Sequence, residues 1–116
     1  MTTRIAPVKS SLLAQPRIHP PLKWAGGKYR ILDRILTMLP SGHRLVEPFF
    51  GSGAVFFNTD YKEYLINDLN SDLVLFYRAL AKRKRRFIDE CAALFKATNN
   101  RESAFYELRT EFNETR

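Results

Sequence analysis

Two glycines and two acidic residues are spaced along this chain in a way that suits a nucleotide-like ligand. Gly51 and Gly53 follow a short apolar stretch that ends at Glu47, and Asp68 comes twenty-one positions after Glu47. Glycines let a backbone turn tightly beside a ligand, and an acid about twenty residues further on can bind ribose hydroxyls. The same residues also fit a plain tight turn followed by a helix cap. Spacing alone leaves both interpretations open.

The residues around this turn favour one class of ligand. Phe56 replaces the third glycine of a dinucleotide fingerprint, and Tyr29 replaces the Ser or Thr of a phosphate-binding loop. Glu47 beside the turn would repel a pyrophosphate and attract a cation. S-adenosyl-L-methionine carries a sulfonium and an ammonium group, and its ribose offers hydroxyls to Asp68. The arrangement of charge therefore points away from NAD and ATP and is compatible with S-adenosyl-L-methionine.

A second glycine motif, KWAGGK at residues 23–28, precedes the first. Trp24 is the only tryptophan of the chain, and a core position is the commoner place for such a residue. The two adjacent glycines instead allow Trp24 to wall an adenosine or methionine pocket, with Lys28 pairing to the methionine carboxylate. Lys23 is either a surface lysine or a DNA contact.

The net charge of +7 is unevenly distributed. Residues 1–30 hold six Lys or Arg and no acid, residues 31–80 hold four basic and six acidic residues, and residues 81–116 hold nine basic and six acidic residues. Basic flanks suit contact with double-stranded DNA, because each phosphate contact releases a counterion. A basic run on a helix is also typical of a solvated face, so both interpretations stay open for one set of residues. The set is Lys82, Arg83, Lys84, Arg85 and Arg86.

An α/β arrangement is predicted to position these residues, since apolar residues at helical spacing alternate with short apolar runs. Only two strands are evident, so we expect an incomplete sheet at the start of a nucleotide-binding unit. The predicted elements are a helix over 31–39, a strand at 45–46, a glycine turn with a short helix over 54–58, a strand at 64–66, and helices from Asn70 or Ser71, near 85–97 and near 102–113.

Several classes of protein are excluded. No apolar run approaches the roughly 20 residues of a membrane helix, and the basic, proline-containing residues 1–20 predict a flexible lead-in rather than a secretion signal. Cys91 is the only cysteine, so no internal disulfide can form, and its apolar helical pattern predicts a buried thiol. His19 and His43 lack partners at metal spacing. We therefore expect a cytoplasmic protein without a membrane segment or a metal.

Three stretches in this order resemble the Dam-type DNA adenine N6-methyltransferases of the D12 class. They are LKWAGGK at 22–28, LVEPFFGSGAVFFNTD at 45–60 and LINDLNSDLVLFY at 65–77. The resemblance runs from about Pro21 to Asn113. It implies a Rossmann-like methyltransferase fold that transfers a methyl group from S-adenosyl-L-methionine to the exocyclic amine of adenine in duplex DNA, typically at GATC.

The resemblance also implies roles for segments and residues. Residues 21–81 would bind the cofactor, and residues 82–116 would begin a helical DNA-recognition region. Asp68 would bind the adenosine part, and Lys23 would contact DNA. The other cofactor-binding residues that the resemblance implies are Trp24, Lys28, Glu47, Pro48, Phe49, Gly51 and Gly53.

One part of the family pattern is absent. The catalytic motif of the family, Asp-Pro-Pro-Tyr or a close variant, has no counterpart here, and the only Pro-Pro pair is Pro20-Pro21. Such enzymes flip the target adenine out of the duplex, and the aspartate of the motif would then orient the adenine amine. We therefore assign no catalytic residue and expect an inactive N-terminal part that needs the missing C-terminal part of the same enzyme. The alternative is a non-catalytic DNA- or partner-binding protein derived from the same fold.

Overall fold

The computed structural model describes residues 14–115 of the chain. Its helices and strands are α1 (Leu32–Met38), β1 (Arg44–Glu47), β2 (Glu63–Ile66), α2 (Ser71–Leu94) and α3 (Glu102–Glu114). Short 3₁₀ turns occupy Lys28–Ile31, Phe56–Asn58 and Ala97–Asn99. These elements confirm the α/β class and both predicted strands.

The predicted short helix over 54–58 is instead a turn followed by the 3₁₀ segment Phe56–Asn58. The Asn58 N–H bonds the Val55 carbonyl at 3.0 Å, which is 3₁₀ spacing. The Ala54 carbonyl, which an α-helix would pair with that N–H, accepts the side-chain amide of Asn58 at 2.8 Å. A side chain thus replaces the backbone donor of an α-helical turn.

β1 and β2 form a parallel sheet in which Val46 lies opposite Leu65 and Glu47 opposite Ile66. Parallel strands need a crossover connection, which residues 48–62 provide. The pairing continues beyond the strands, because the Asn67 N–H bonds the Glu47 carbonyl at 2.9 Å and the Phe50 N–H bonds the Asn67 carbonyl at 2.8 Å. The two segments that leave the carboxyl ends of the strands are therefore held side by side.

The core forms where α1 packs on the sheet. Its buried cluster joins Leu32 and Leu36 of α1 to Leu45 of β1 and Val55 of the crossover. Residues alternate between the two faces of a strand, and Val46, the neighbour of Leu45, is 53% exposed. Partly buried side chains surround this cluster, namely Tyr29, Ile35, Leu39, Tyr61 and Tyr64.

The chain divides into two compact units, Met1–Val74 and Leu75–Arg116. The division lies inside α2 and N-terminal to the boundary at 81/82 that the sequence predicts. Because α2 runs through both positions, no break in the helical pattern marks the division.

In the second unit, α2 is interrupted at Lys84, whose φ of 47° and ψ of −123° are not helical. This break separates the two helices that the sequence predicts from about 70 and near 85. The rings of Phe76 and Phe87 pack edge to face across it, with their centroids 5.4 Å apart.

The sequence predicts a buried thiol at Cys91, but this residue is only partly buried, so the prediction is wrong. The apolar pattern on which it rested includes Leu94 and Phe95, which are 55% and 87% exposed. Apolar periodicity marks the face of a helix that can be covered, but burial requires another element to cover it.

The described part of the N-terminal lead-in makes specific contacts in the first unit. Arg17 pairs with Asp33 at 2.6 Å, and the ring of His19 stacks on Tyr29 with centroids 3.9 Å apart. The sequence predicts a flexible lead-in over residues 1–20, whereas these contacts hold Arg17 and His19 in place. Residues 1–13 of that prediction lie outside the described residues.

Within residues 14–115, none of the helices combines the length and apolar character needed to cross a bilayer. The same residues contain no group of three His, Cys, Asp or Glu side chains that could hold a metal ion.

Candidate cofactor-binding site

Asp68 ties the carboxyl end of β2 to the glycine turn that follows β1. Its Oδ2 accepts a hydrogen bond from the Gly51 N–H at 2.8 Å, and its Oδ1 accepts one from the Asn70 N–H at 3.0 Å. The bonds from Asn70 and Gly51 hold the pKa of Asp68 below its ordinary value of 3.8. An ionised carboxylate has about four acceptor positions, so Asp68 retains capacity for another donor.

The helix cap is a different residue. Asn70 Oδ1 accepts a hydrogen bond from the Leu73 N–H at 3.0 Å at the start of α2. This confirms Asn70 as a cap and removes the interpretation in which Asp68 serves only to cap a helix.

The turn itself requires glycine at two positions. Gly51 and Gly53 have φ values of 56° and 78°, in the left-handed region that other residues rarely adopt. A Cβ on Gly53 would also lie 2.7 Å from Cζ of Phe50 and 3.1 Å from the Phe57 ring. The backbone can follow this path only because no side chain occupies that space.

Glu47 is a buried carboxylate without a hydrogen bond. Only 7% of its surface is exposed, and among the described residues neither carboxylate oxygen has a hydrogen-bond partner. Burial raises the pKa of Glu47 above its ordinary value of 4.5, while the charge of Lys28 and the nearby N–H of Phe56 lower it by less. The Phe56 N–H lowers the pKa of Glu47 without forming a hydrogen bond of normal geometry to either carboxylate oxygen. Such a group is costly to bury alone, so this position favours an incoming cation or donor.

The KWAGGK motif lies against this turn. A Cβ on Gly51 would be 3.6 Å from Cδ1 of Trp24, and one on Gly27 would be 3.5 Å from Oγ of Ser52. The Gly27 N–H also closes a tight turn onto the Trp24 carbonyl at 3.0 Å. Trp24 is 38% exposed, so it packs beside the turn with part of its ring open to solvent rather than filling the core.

Lys28 brings positive charge to the same place. Its Nζ donates a hydrogen bond to the Phe49 carbonyl. Its charge lowers the pKa of both Glu47 and Asp68. The pairing of Lys28 with a methionine carboxylate stays a prediction.

Two exposed apolar side chains flank the carboxyl ends of the strands. Phe49 is 77% exposed and follows Pro48, which is also exposed, while Leu69 is 98% exposed beside Asp68. Leu69 is not among the site residues predicted from the sequence. The signal that could have identified it is an apolar residue between Asp68 and Asn70 that belongs to no helical or strand period.

Most residues of the basic run at 82–86, in the second unit, form ion pairs. Each of its three arginines pairs with an acid of the same helix. The pairs are Arg83 with Glu90, Arg85 with Asp89 at 2.8 Å, and Arg86 with Glu90 at 3.2 Å. Lys82 and Lys84 are exposed and have no ion pair within residues 14–115, and Lys23 in the first unit is exposed too. The pairs of Arg85 and Arg86 have a spacing of four residues, so sequence could have shown them.

Comparison with known families decides the assignment. The model of the family described as D12 class N6 adenine-specific DNA methyltransferase matches residues 24–116, which is most of the chain. The chain belongs to this D12 family. This confirms the family that the three sequence motifs indicate, and a methyltransferase family implies a methyl donor.

The D12 chain is also similar to proteins named DNA adenine methylase. It is 47% identical over 92 residues to the protein of Salmonella typhi, 48% over 92 residues to that of Serratia marcescens, and 45% over 94 residues to that of Escherichia coli strain K12. These alignments cover 79%, 79% and 81% of this chain but 33%, 34% and 34% of the respective relatives. The D12 chain thus spans about a third of the length of the curated relatives it matches.

Proposed function

We propose that this chain is the S-adenosyl-L-methionine-binding part of a site-specific DNA adenine N6-methyltransferase. The two parallel strands would belong to a Rossmann-like methyltransferase fold. The whole enzyme would transfer a methyl group to the exocyclic amine of adenine in duplex DNA, with GATC as the first site to test. The catalytic Asp-Pro-Pro-Tyr motif, absent from these 116 residues, would be contributed by other sequence of the enzyme.

The observation that carries this proposal is the buried, unpaired carboxylate of Glu47 at the carboxyl end of β1. A desolvated carboxylate attracts a cation strongly, because the low-dielectric surroundings screen its charge poorly. S-adenosyl-L-methionine supplies two cationic groups, the sulfonium and the ammonium. NAD and ATP would instead bring phosphates toward a negative charge.

The neighbouring residues supply the other contacts that such a ligand needs. The remaining acceptor positions of Asp68 suit ribose hydroxyls, and the glycine turn lets the backbone come close to the ligand. Lys28 suits the methionine carboxylate. Three apolar side chains that are partly or largely exposed would wall the adenine and methionine portions, namely Trp24, Phe49 and Leu69.

Duplex DNA is the proposed partner, and the cytoplasm is the proposed location, as the sequence predicts. Lys23, Lys82 and Lys84 are the proposed phosphate contacts, since their ammonium groups are exposed. The three arginines of the basic run would first have to exchange a carboxylate partner for a phosphate.

Calorimetric titration of the 116-residue chain with S-adenosyl-L-methionine tests the cofactor assignment. Glu47→Gln keeps the shape of the side chain and removes its charge. We expect the Kd to rise at least about tenfold, because a contact to a buried charge is worth roughly 1.5–3 kcal/mol.

Glu63→Gln is the matched control, since Glu63 is a surface carboxylate paired with Arg44 and with His43 at 3.0 Å. Its Kd should stay close to that of the wild type. Tighter binding of NAD or ATP, or equal binding by Glu47→Gln and the wild type, would contradict the assignment. Methylation of a GATC duplex by these 116 residues alone would show that the reaction does not need the Asp-Pro-Pro-Tyr motif.

A further inference from the structure

The side chain of Asn58 joins two segments that lie 40 positions apart in the chain. Its Oδ1 accepts a hydrogen bond from the Ile18 N–H at 2.8 Å, and its Nδ2 donates to the Ile18 carbonyl at 2.8 Å. The carboxamide therefore pairs with both backbone groups of Ile18, as a residue of a neighbouring strand would. Nδ2 also donates to the Ala54 carbonyl at 2.8 Å, which holds the turn that follows Gly53.

The residues on either side of Ile18 are anchored as well. Arg17 pairs with Asp33 of α1 at 2.6 Å, and His19 stacks on Tyr29 with ring centroids 3.9 Å apart. Ile18 is itself 56% exposed, so apolar burial does not explain why it stays in place. The backbone of residues 17–19 is held by polar and ring contacts, with Asn58 at their centre.

The path from Ile18 to Trp24 has little freedom. Pro20 and Pro21 fix their own φ angles, and each restricts the residue before it to extended conformations. A shift at Ile18 is therefore absorbed less readily before Trp24 than it would be in a segment without these prolines. Trp24 in turn packs against the Gly51 turn.

We propose that Asn58 is a positioning residue of the cofactor site, which holds residues 17–19 so that the Trp24 indole stays against the Gly51 turn. The effect of Asn58 on the binding of S-adenosyl-L-methionine rests on the proposed function. Its effect on Trp24 rests on the contacts alone. Asn58 thereby links the segment that leads into the KWAGGK motif to the turn that follows Gly53.

The fluorescence of Trp24 tests this directly, because it is the only tryptophan. In the ligand-free 116-residue chain, Asn58→Ala is expected to move the Trp24 emission to longer wavelength and to raise its quenching by acrylamide. The Kd for S-adenosyl-L-methionine should rise about tenfold, which corresponds to about 1.4 kcal/mol.

Asn99→Ala is the matched control. Asn99 Nδ2 donates to the Leu94 carbonyl at 2.9 Å, so this variant also removes an asparagine hydrogen bond, but in the second unit. It should leave both the Trp24 signal and the Kd unchanged. An equal change in Asn99→Ala would mean that any loss of stability moves Trp24, and it would overturn the inference.

Deletion of residues 1–19 is the second variant, because it removes the held segment and retains the bond between Asn58 and Ala54. The deletion should change the fluorescence of Trp24 in the same direction as Asn58→Ala does. Introducing Asn58→Ala into the shortened chain should cause little further change in that fluorescence. This non-additivity is expected only if Asn58 acts through residues 17–19. If Asn58→Ala does not fold cooperatively, the deletion variant alone tests whether residues 17–19 hold Trp24 against the Gly51 turn.

Unchanged Trp24 fluorescence in the deletion variant would overturn the inference, whatever the wild type binds. If the wild type binds no S-adenosyl-L-methionine but Trp24 responds as described, the cofactor assignment fails and the positioning role of Asn58 holds.

Discussion

At the scale of single residues, the charge state of Glu47 makes the stability of the fold depend on pH. Its raised pKa means that the folded chain binds this proton more tightly than the unfolded chain. The free energy of unfolding therefore falls as the pH rises from 4.5 through the folded-state pKa, and this loss persists at higher pH. Asp68 and Glu63 have lowered pKa values, so their contributions are lost as the pH falls.

We predict that Glu47→Gln raises the free energy of unfolding of the ligand-free chain at pH 7, because it removes an unpaired buried charge. The gain should shrink as the pH falls toward and below 4.5, where Glu47 of the wild type is protonated. Urea denaturation of both proteins across this range measures the difference and cancels the contributions of Asp68 and Glu63. A variant less stable than the wild type at pH 7 would mean that the carboxylate is already compensated.

At the scale of elements, the turn over Gly51–Gly53 lies near the start of the crossover that follows β1 and shapes the candidate site. Gly53→Ala should lower the free energy of unfolding by about 1–3 kcal/mol, since it adds a Cβ at a positive φ. That Cβ would also lie 2.7 Å from Cζ of Phe50, within a buried part of the turn.

Gly42→Ala provides the comparison for this turn. The nearest atom to a Cβ at Gly42 is Cε1 of Tyr61 at 3.8 Å, an ordinary contact, and the φ of Gly42 lies outside the left-handed region. Its stability should therefore stay near that of the wild type. Urea denaturation distinguishes the two variants, and equal effects would indicate that the turn can rearrange to accept a side chain.

At the scale of the whole molecule, apolar surface is expected to drive self-association. Val46 and Leu65 lie opposite each other in the sheet and are 53% and 57% exposed. Within the described residues, each strand pairs only with the other, so both outer strand edges lack a partner strand. Parallel sheets are normally covered on both faces, and open edges promote pairing with other chains.

We predict concentration-dependent association of the 116-residue chain in sedimentation measurements. Replacing Val46 and Leu65 together by lysine should weaken it, because charge on this face opposes close contact between copies. Arg44→Lys is the control, since Arg44 is the other exposed position of β1 and the substitution keeps its charge. A monodisperse monomer with a cooperative melt at high temperature would contradict the prediction.

Local patterns determined much of the fold. The apolar spacing of Leu32 and Leu36 predicted α1, and short apolar runs predicted β1 and β2. Asn70 could be identified as a cap because its bond to Leu73 spans only three residues. The two glycine motifs and Asp68 indicated a ligand site because their residue types restrict what can fit beside them.

Tertiary structure decided what lies next to these residues. Sequence proposed Glu47 as a cation-attracting residue, but only folding showed that its carboxylate is buried without a hydrogen bond. The bond between Asp68 and Gly51 spans 17 positions, and those between Asn58 and Ile18 span 40. Residue patterns report preferences over a few positions, whereas such contacts depend on how strand pairing and the crossover bring distant segments together. The sequence therefore determined which elements form and which residue types could bind a ligand, and the packing of those elements decided which of these residues meet.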